Sequence, residues 1–189
     1  MWRKLIICTS FLALAACSSD EPQRADVAEH VSAPLFRITP RSAGPVNAGT
    51  PYSSKALQAL LPGFEVRPIE TAVEHTTLPA FAAFSNGLQV AQFLKGSDGK
   101  VGQVFGVSDR IVGPNGERIG MTISQLRINR ASCRMGQDLW TDMAICPAHG
   151  TSNISLVFAV PGYRGPLDQL PPPDELKDAI LQRIVWKAA

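Results

Sequence analysis

Two glycine-containing turns, each set between stretches of alternating apolar and polar residues, constrain this chain more than any other feature. Asn86-Gly87 separates Phe81–Ser85 from Leu88–Leu94, and Gly96-Ser97-Asp98-Gly99 joins the latter to Lys100–Val107. Asn-Gly and Asp-Gly accept the positive φ of tight hairpins, and a two-residue side-chain period marks strands with one buried face. Three consecutive antiparallel strands follow. Shorter segments around them read the same way: Leu35–Thr39, Phe64–Arg67, Met143–Cys146, Ile154–Val160 and Leu181–Trp186.

Two helices are expected among these strands. The first is opened by Thr50 as cap and Pro51 in the first turn, carries Ala56, Leu57, Leu60 and Leu61 at helical spacing, and stops at Pro62-Gly63. The second lies within a strand-turn-helix unit from Val107 to about Arg130, where Thr122 and Gln125 have the spacing of a capping box and Ile123, Leu126 and Arg127 follow. The glycine-proline openings at Gly44-Pro45 and Gly113-Pro114 make the two units weak echoes of each other. A helical turn opened by prolines is expected at Asp174–Asp178. Strands that neighbour one another in sequence, with few crossovers, imply a single α+β domain with a mostly antiparallel twisted sheet and two main helices.

The N-terminus speaks to location. Arg3 and Lys4 precede an apolar run from Leu5 to Leu14, which is followed by Ala15 and Ala16. That is the layout of a cleavable signal, and the run is about half the ~20 residues a membrane-crossing helix needs. Its last four residues, Leu14-Ala15-Ala16-Cys17, resemble the bacterial lipobox, which implies a diacylglycerol on the Cys17 sulfur and a further acyl chain on its amine. Several acyl chains hold a protein where one gives marginal binding. Ser18, not Asp, follows the lipid site; in enteric-type sorting this resembles an outer-membrane destination facing the periplasm. The expected organisation is a signal over residues 1–16, a lipidated polar tether over 17–33 and a globular domain over 34–189. As a flexible chain the tether would reach on the order of 20 Å.

Of 189 residues, 173 remain once 1–16 are removed, enough for one domain of common size. Losing Arg3 and Lys4 leaves sixteen basic against sixteen acidic side chains, so no nucleic-acid partner is implied. With Cys8 in the signal and Cys17 acylated, Cys133 and Cys146 remain in an oxidising compartment and are expected to pair. Metal binding competes with that reading, because Cys146-Pro147-Ala148-His149 has a C-x-x-H spacing. No fourth ligand stands out, and oxidation would consume both thiolates.

An order of features resembles one family, the RpoE-regulated lipoproteins of the bacterial envelope, a domain of unknown function. The lipobox comes first, then Gly44-Pro45 with Thr50 ahead of a helix, Leu60-Leu61-Pro62-Gly63-Phe64 leading into a strand, and Ile119-Gly120 ahead of the second helix. Cys133 with Cys146, Tyr163-Arg164-Gly165-Pro166 and Ile184-Val185-Trp186 complete the likeness, which covers about residues 35–187. Tyr163 stands where Trp is also expected. The resemblance implies an envelope location and induction under envelope stress, and it brings no catalytic residues.

Catalytic motifs fare poorly. Gly96-Ser97-Asp98-Gly99-Lys100 lacks the first glycine of a phosphate loop and has Val101 where a magnesium-binding hydroxyl belongs. No G-x-S-x-G elbow accompanies His30, His75 or His149. Paired carboxylates for glycan cleavage would have to come from Glu65, Glu70 and Glu74, or from Asp168, Asp174, Glu175 and Asp178, whose separation a sequence does not give. The candidate binding surface is aromatic and basic: Tyr163 and Arg164, with Arg183 and Trp186 on alternate sides of the last strand and Trp140 as an added member. Stacking and bidentate hydrogen bonding there suit a peptide or a glycan; closure of the core over the C-terminal loop by Tyr163 and Trp186 is the favoured reading of the same aromatics. The chain is therefore expected to be a non-enzymatic envelope lipoprotein without metal or cofactor, tied to the membrane by its lipid and contacting an envelope protein or glycan. Inhibition of a wall-degrading enzyme through the disulfide loop is the alternative, and a two-carboxylate hydrolase the enzymatic one.

Overall fold

Strand β4 (Glu65–Ala72) starts an antiparallel run with β5 (Thr77–Ser85), β6 (Leu88–Lys95) and β7 (Val101–Gly106) in a computed structural model that describes residues 33–189. The two hairpins expected from the sequence link β5 to β6 and β6 to β7. Asn86 and Gly87 take φ of 50° and 78°, as a two-residue turn of this hand requires. At the second turn Asp98 Oδ1 accepts from the Lys100 N–H at 3.1 Å, so the glycine-lysine segment is a hairpin loop.

β7 next pairs with the last strand, β12 (Ile180–Lys187), which continues to β11 (Ile154–Ala159), β10 (Met143–Pro147) and the two-residue β9 (Arg134–Met135). The resulting sheet has eight strands, all antiparallel, in the order β4-β5-β6-β7-β12-β11-β10-β9. A smaller sheet of β1 (Phe36–Thr39), β2 (Ser42–Ala43), β3 (Val46–Asn47) and β8 (Ile111–Val112) packs beside it; its β1–β8 pair is parallel. Strand β4 carries Pro68 at its centre.

The large sheet is curled. The Arg183 guanidinium on β12 donates from Nη1 to the Ala72 carbonyl on β4 at 3.1 Å. Four strand spacings of ~4.8 Å, about 19 Å, would separate those strands in a flat sheet, well beyond the reach of an arginine. Thr71 Oγ1 likewise donates across β5 to Gln92 Oε1 on β6 at 2.6 Å. Register shifts at Ala83/Phe84, Leu94/Lys95 and Val157/Phe158 supply the bends. The product is a half-closed barrel.

Curling gives the sheet two unequal faces. The outer face carries the main core: Phe93, Val104, Leu156, Phe158, Ile184 and Trp186 pack with Ile38 and Ile111 of the small sheet and with Leu57 of the first helix. At Gly106 a Cβ would lie 2.8 Å from Ile111, so the small sheet sits directly on β7 there. The inner face holds a second cluster of Ala80, Leu94, Phe105, Trp140, Ile145, Val157 and Val185.

Both helices are short. The first, α1 (Ser54–Leu60), is capped by Ser53, whose side chain accepts from the Ala56 N–H at 3.2 Å. Thr50, expected as its cap, instead accepts from the Asn47 N–H at 3.1 Å and holds the turn before it. The second, α2 (Pro173–Leu176), falls on the proline-opened turn. The helix expected to start at Thr122 does not form; residues 123–127 make a turn. The reciprocal Thr122–Gln125 bonds are present at 2.8 and 3.2 Å, but one turn later Arg127 takes a φ of 52°. The N–H groups of Ile123 and Ser124 donate to the Ala179 and Lys177 carbonyls ahead of β12. Local capping is satisfied, but the left-handed Arg127 ends the chain's first turn at once, the Ile128 N–H reaching back to the Ile123 carbonyl at 3.2 Å. Among the described residues the fold is thus a single α+β domain, mostly antiparallel with two α-helices, the second of them at 173–176.

Candidate functional site

The sheet's two ends meet through side chains. Glu74, just past β4, receives both Arg134 Nη atoms, with Nη2–Oε2 at 2.7 Å, and its Oε1 also accepts from the Gln137 N–H at 3.0 Å. The Glu74 carbonyl accepts from the Leu139 N–H at 3.0 Å, and Trp140 Nε1 donates to the Ala72 carbonyl at 3.2 Å. His75 Nδ1 and Asp138 Oδ2 lie 2.7 Å apart on the same seam. Gly136 makes the approach feasible, because a Cβ there would stand 2.2 Å from the Trp140 carbonyl oxygen. The seam also depends on a covalent bond: Cys133, next to Arg134, is joined to Cys146 of β10, with Cα atoms 4.2 Å apart. The disulfide expected from the sequence is present, and His149 Nε2 lies 3.3 Å from the Arg127 carbonyl oxygen.

Trp140 is 6% exposed and plugs the middle of the barrel, edge-on to Phe105 at 5.8 Å between centroids. Arg183 lies against both rings, 5.5 Å from that of Trp140 and 5.8 Å from that of Phe105. Burial pushes its guanidinium below its usual pKa. On one side of this plug the barrel opens into a cavity of about 380 Å³. Val73, Trp140, Ile145 and Val185 form the apolar part of its wall, and Gln103, Ser155 and Lys187 a polar part. Lys187 is opposite Gln103 in the β12–β7 ladder and Ser155 is opposite Val185 in β11–β12, so the polar side chains come from three adjacent strands.

Glu74 titrates abnormally. The Arg134 hydrogen bond is the largest cause holding its carboxyl below the ordinary 4.5, joined by the charge of Arg134, the Gln137 N–H and His75, and opposed by partial burial. A carboxyl lowered by folding stabilises the native state above its unfolded pKa and loses that contribution as pH falls through the folded one. Glu74→Gln is therefore expected to destabilise at neutral pH by an amount that shrinks as the pH drops below 4.5. Denaturant unfolding of both proteins across that range checks it; a gap that stays constant with pH would contradict it.

The sequence-derived binding residues do not form one surface. Trp186 is 1% exposed in the main core and donates from Nε1 to the Pro40 carbonyl at 3.2 Å. Arg183 is on the opposite face of the same strand, with Trp140 as its neighbour. Tyr163 packs against the main core from the loop after β11, its hydroxyl near the Pro166 and Gln169 carbonyls at 3.2 and 3.3 Å. With Arg164 it borders an open groove of about 870 Å³, which also meets Asp174, Glu175 and Asp178. Of the residues considered for paired-carboxylate chemistry, Glu74 is engaged by Arg134, and Glu65 is 3.2 Å from Arg67. Sequence reasoning missed Arg134, Gln103 and Lys187; a two-residue period puts Arg183, Val185 and Lys187 on one face, which is the signal that points to the last of them. Cys17, the signal and nearly all of the tether lie outside the described residues.

These features define an α+β protein with a half-closed antiparallel barrel, one end of which is an amphipathic cavity. The chain belongs to the family described as "Protein of unknown function (DUF1131)", whose model matches residues 29–188. It is 24% identical over 189 residues to the "Uncharacterized protein YfeY" of Escherichia coli (strain K12), with 97% of each chain covered. The crystal structure of the uncharacterized yfeY protein from Escherichia coli superposes with a TM-score of 0.67 at 21% identity, covering 80% of this chain and 99% of that one. The likeness establishes the fold.

Proposed function

We propose that this chain is a bacterial envelope lipoprotein, held by lipid on Cys17 after removal of residues 1–16, in the outer membrane facing the periplasm. Its barrel acts there as a non-catalytic binding module, in a family induced under envelope stress. Leu14-Ala15-Ala16-Cys17 supports the anchor. The observation that carries the binding role is the cavity beside Trp140, in which an apolar wall meets the Gln103, Ser155 and Lys187 side chains. Such amphipathic mouths of barrels are where small ligands or projecting groups of partners are taken up. Glu74, the carboxyl at this cavity, is clamped by Arg134 and kept ionised, which suits a structural tie and not a proton donor to a leaving group.

The two halves of the proposal are separately testable. Cys17→Ser is expected to abolish labelling by a fatty-acid analogue and to release the chain from membrane fractions; undiminished labelling defeats the anchor. A photo-crosslinking residue at position 103 in intact envelopes is expected to capture a component that the same probe at the exposed Ser152 does not. Equal capture at both positions counts against a site in the barrel.

A further inference from the structure

The inner face of the barrel carries unbalanced positive charge. Arg134 is neutralised by Glu74, and Arg67 lies by Glu65. Arg183 and Lys187 share the inner face of β12, about 13 Å apart at the strand rise. Among the described residues neither forms an ion pair with a carboxylate. Arg183 has five N–H donors, and its one protein acceptor is the Ala72 carbonyl. A guanidinium is costly to bury without a counter-charge, and the low-dielectric wall around it extends its field toward the open mouth.

The mouth has groups to receive what that field attracts. At its rim the exposed Lys187 ammonium and the half-buried Gln103 amide and Ser155 hydroxyl line the cavity and make no hydrogen bond to the described residues. One ammonium flanked by an amide and a hydroxyl matches the two oxygens of a carboxylate, whereas a dianionic phosphate calls for more free cations than this wall supplies. Val73, Ile145, Val185 and Trp140 face the same space and would cover an apolar body. At about 380 Å³ the cavity is near the lower end of small-molecule sites, which run roughly 300–1,000 Å³.

We infer that the barrel mouth binds a small amphiphilic carboxylate, its head on Lys187, Gln103 and Ser155 and its apolar body against Trp140, Ile145 and Val185. The inference rests on the binding-module reading and assigns the ligand's chemistry.

The test uses the full chain in a lipid nanodisc, with 4-methylbenzoate as probe and neutral 4-methylbenzamide as the control for partition into lipid. Saturation-transfer and protein-shift measurements are expected to show the acid bound at residues 103, 155 and 187 and the amide much more weakly. Lys187→Met, which keeps an apolar stem and removes the charge, is expected to weaken acid binding about tenfold or more, the value of a hydrogen bond to a charged group. Gln103→Leu should weaken it less. Equal binding of acid and amide overturns the carboxylate assignment and leaves the binding module standing. So does binding that Lys187→Met leaves unchanged. If neither probe binds while position 103 still captures a component in envelopes, the small-molecule inference alone falls. Failure of both experiments removes the binding-module reading as well.

Discussion

Trp140→Ala is expected to cost about 3–5 kcal/mol of unfolding free energy, the range for deleting a buried large aromatic. The indole fills the barrel between Phe105 and Arg183 and ties β12, β7 and the end of β4 together, so its loss leaves a void and removes the bond to the Ala72 carbonyl. Trp140→Phe separates these contributions. It keeps a ring against Phe105 and loses the N–H donor, for an expected cost near 1 kcal/mol from the hydrogen bond. Equilibrium denaturation followed by far-ultraviolet circular dichroism measures both. A loss below about 1 kcal/mol for the alanine variant would mean that the plug does not hold the barrel.

The second large effect is expected at the disulfide. Cys133 and Cys146 are 13 residues apart, and the chain-entropy estimate for a loop of that size is about 3 kcal/mol. The paired Cys133→Ser, Cys146→Ser variant should lose roughly this amount, and something more specific besides. β9 is only two residues long, so without the bond the Arg134 backbone is held by a two-residue ladder to β10 alone. The Arg134–Glu74 clamp should then weaken and the Glu74 carboxyl drift back toward its ordinary pKa. A triple variant that adds Glu74→Gln should cost less than the separate losses combined, since neighbours that share one structure are not independent. Full additivity would show that disulfide and ion pair act separately.

What the sequence revealed and what it concealed divide along the range of the interactions. Asn86-Gly87 and the Asp98-Gly99 turn are local chemistry, and the three strands they join meet them as alternation implies, although β5 begins four residues earlier than expected, at Thr77. Cys133 and Cys146 were readable because the choice of partners was small. The capping box at Thr122 is present as a set of hydrogen bonds, yet those bonds close a turn as well as they open a helix, and the left-handed Arg127 that ends the turn carries no sequence signal. The curl was hidden. It depends on register shifts between particular residues and brings Arg183 to Ala72 across 111 positions, which no periodicity encodes. The candidate site was hidden with it: Lys187, Gln103 and Ser155 belong to three separate segments, and only strand pairing makes them neighbours.

Pro68 in the middle of β4 bears on how copies of this molecule behave when crowded. Between Val66, whose N–H donates to the Gln58 side chain of α1 at 3.0 Å, and the closing end at Ala72, β4 presents a short free edge, the kind of template on which a second sheet can grow. A proline within a strand sits with its nitrogen toward the unpaired side and has no hydrogen to offer there. Two molecules that approach edge to edge meet a missing rung halfway along, flanked by the charges of Arg67 and Glu70. The fold therefore carries its own stop against edge-to-edge growth, on the stretch of β4 that neither helix nor clamp covers.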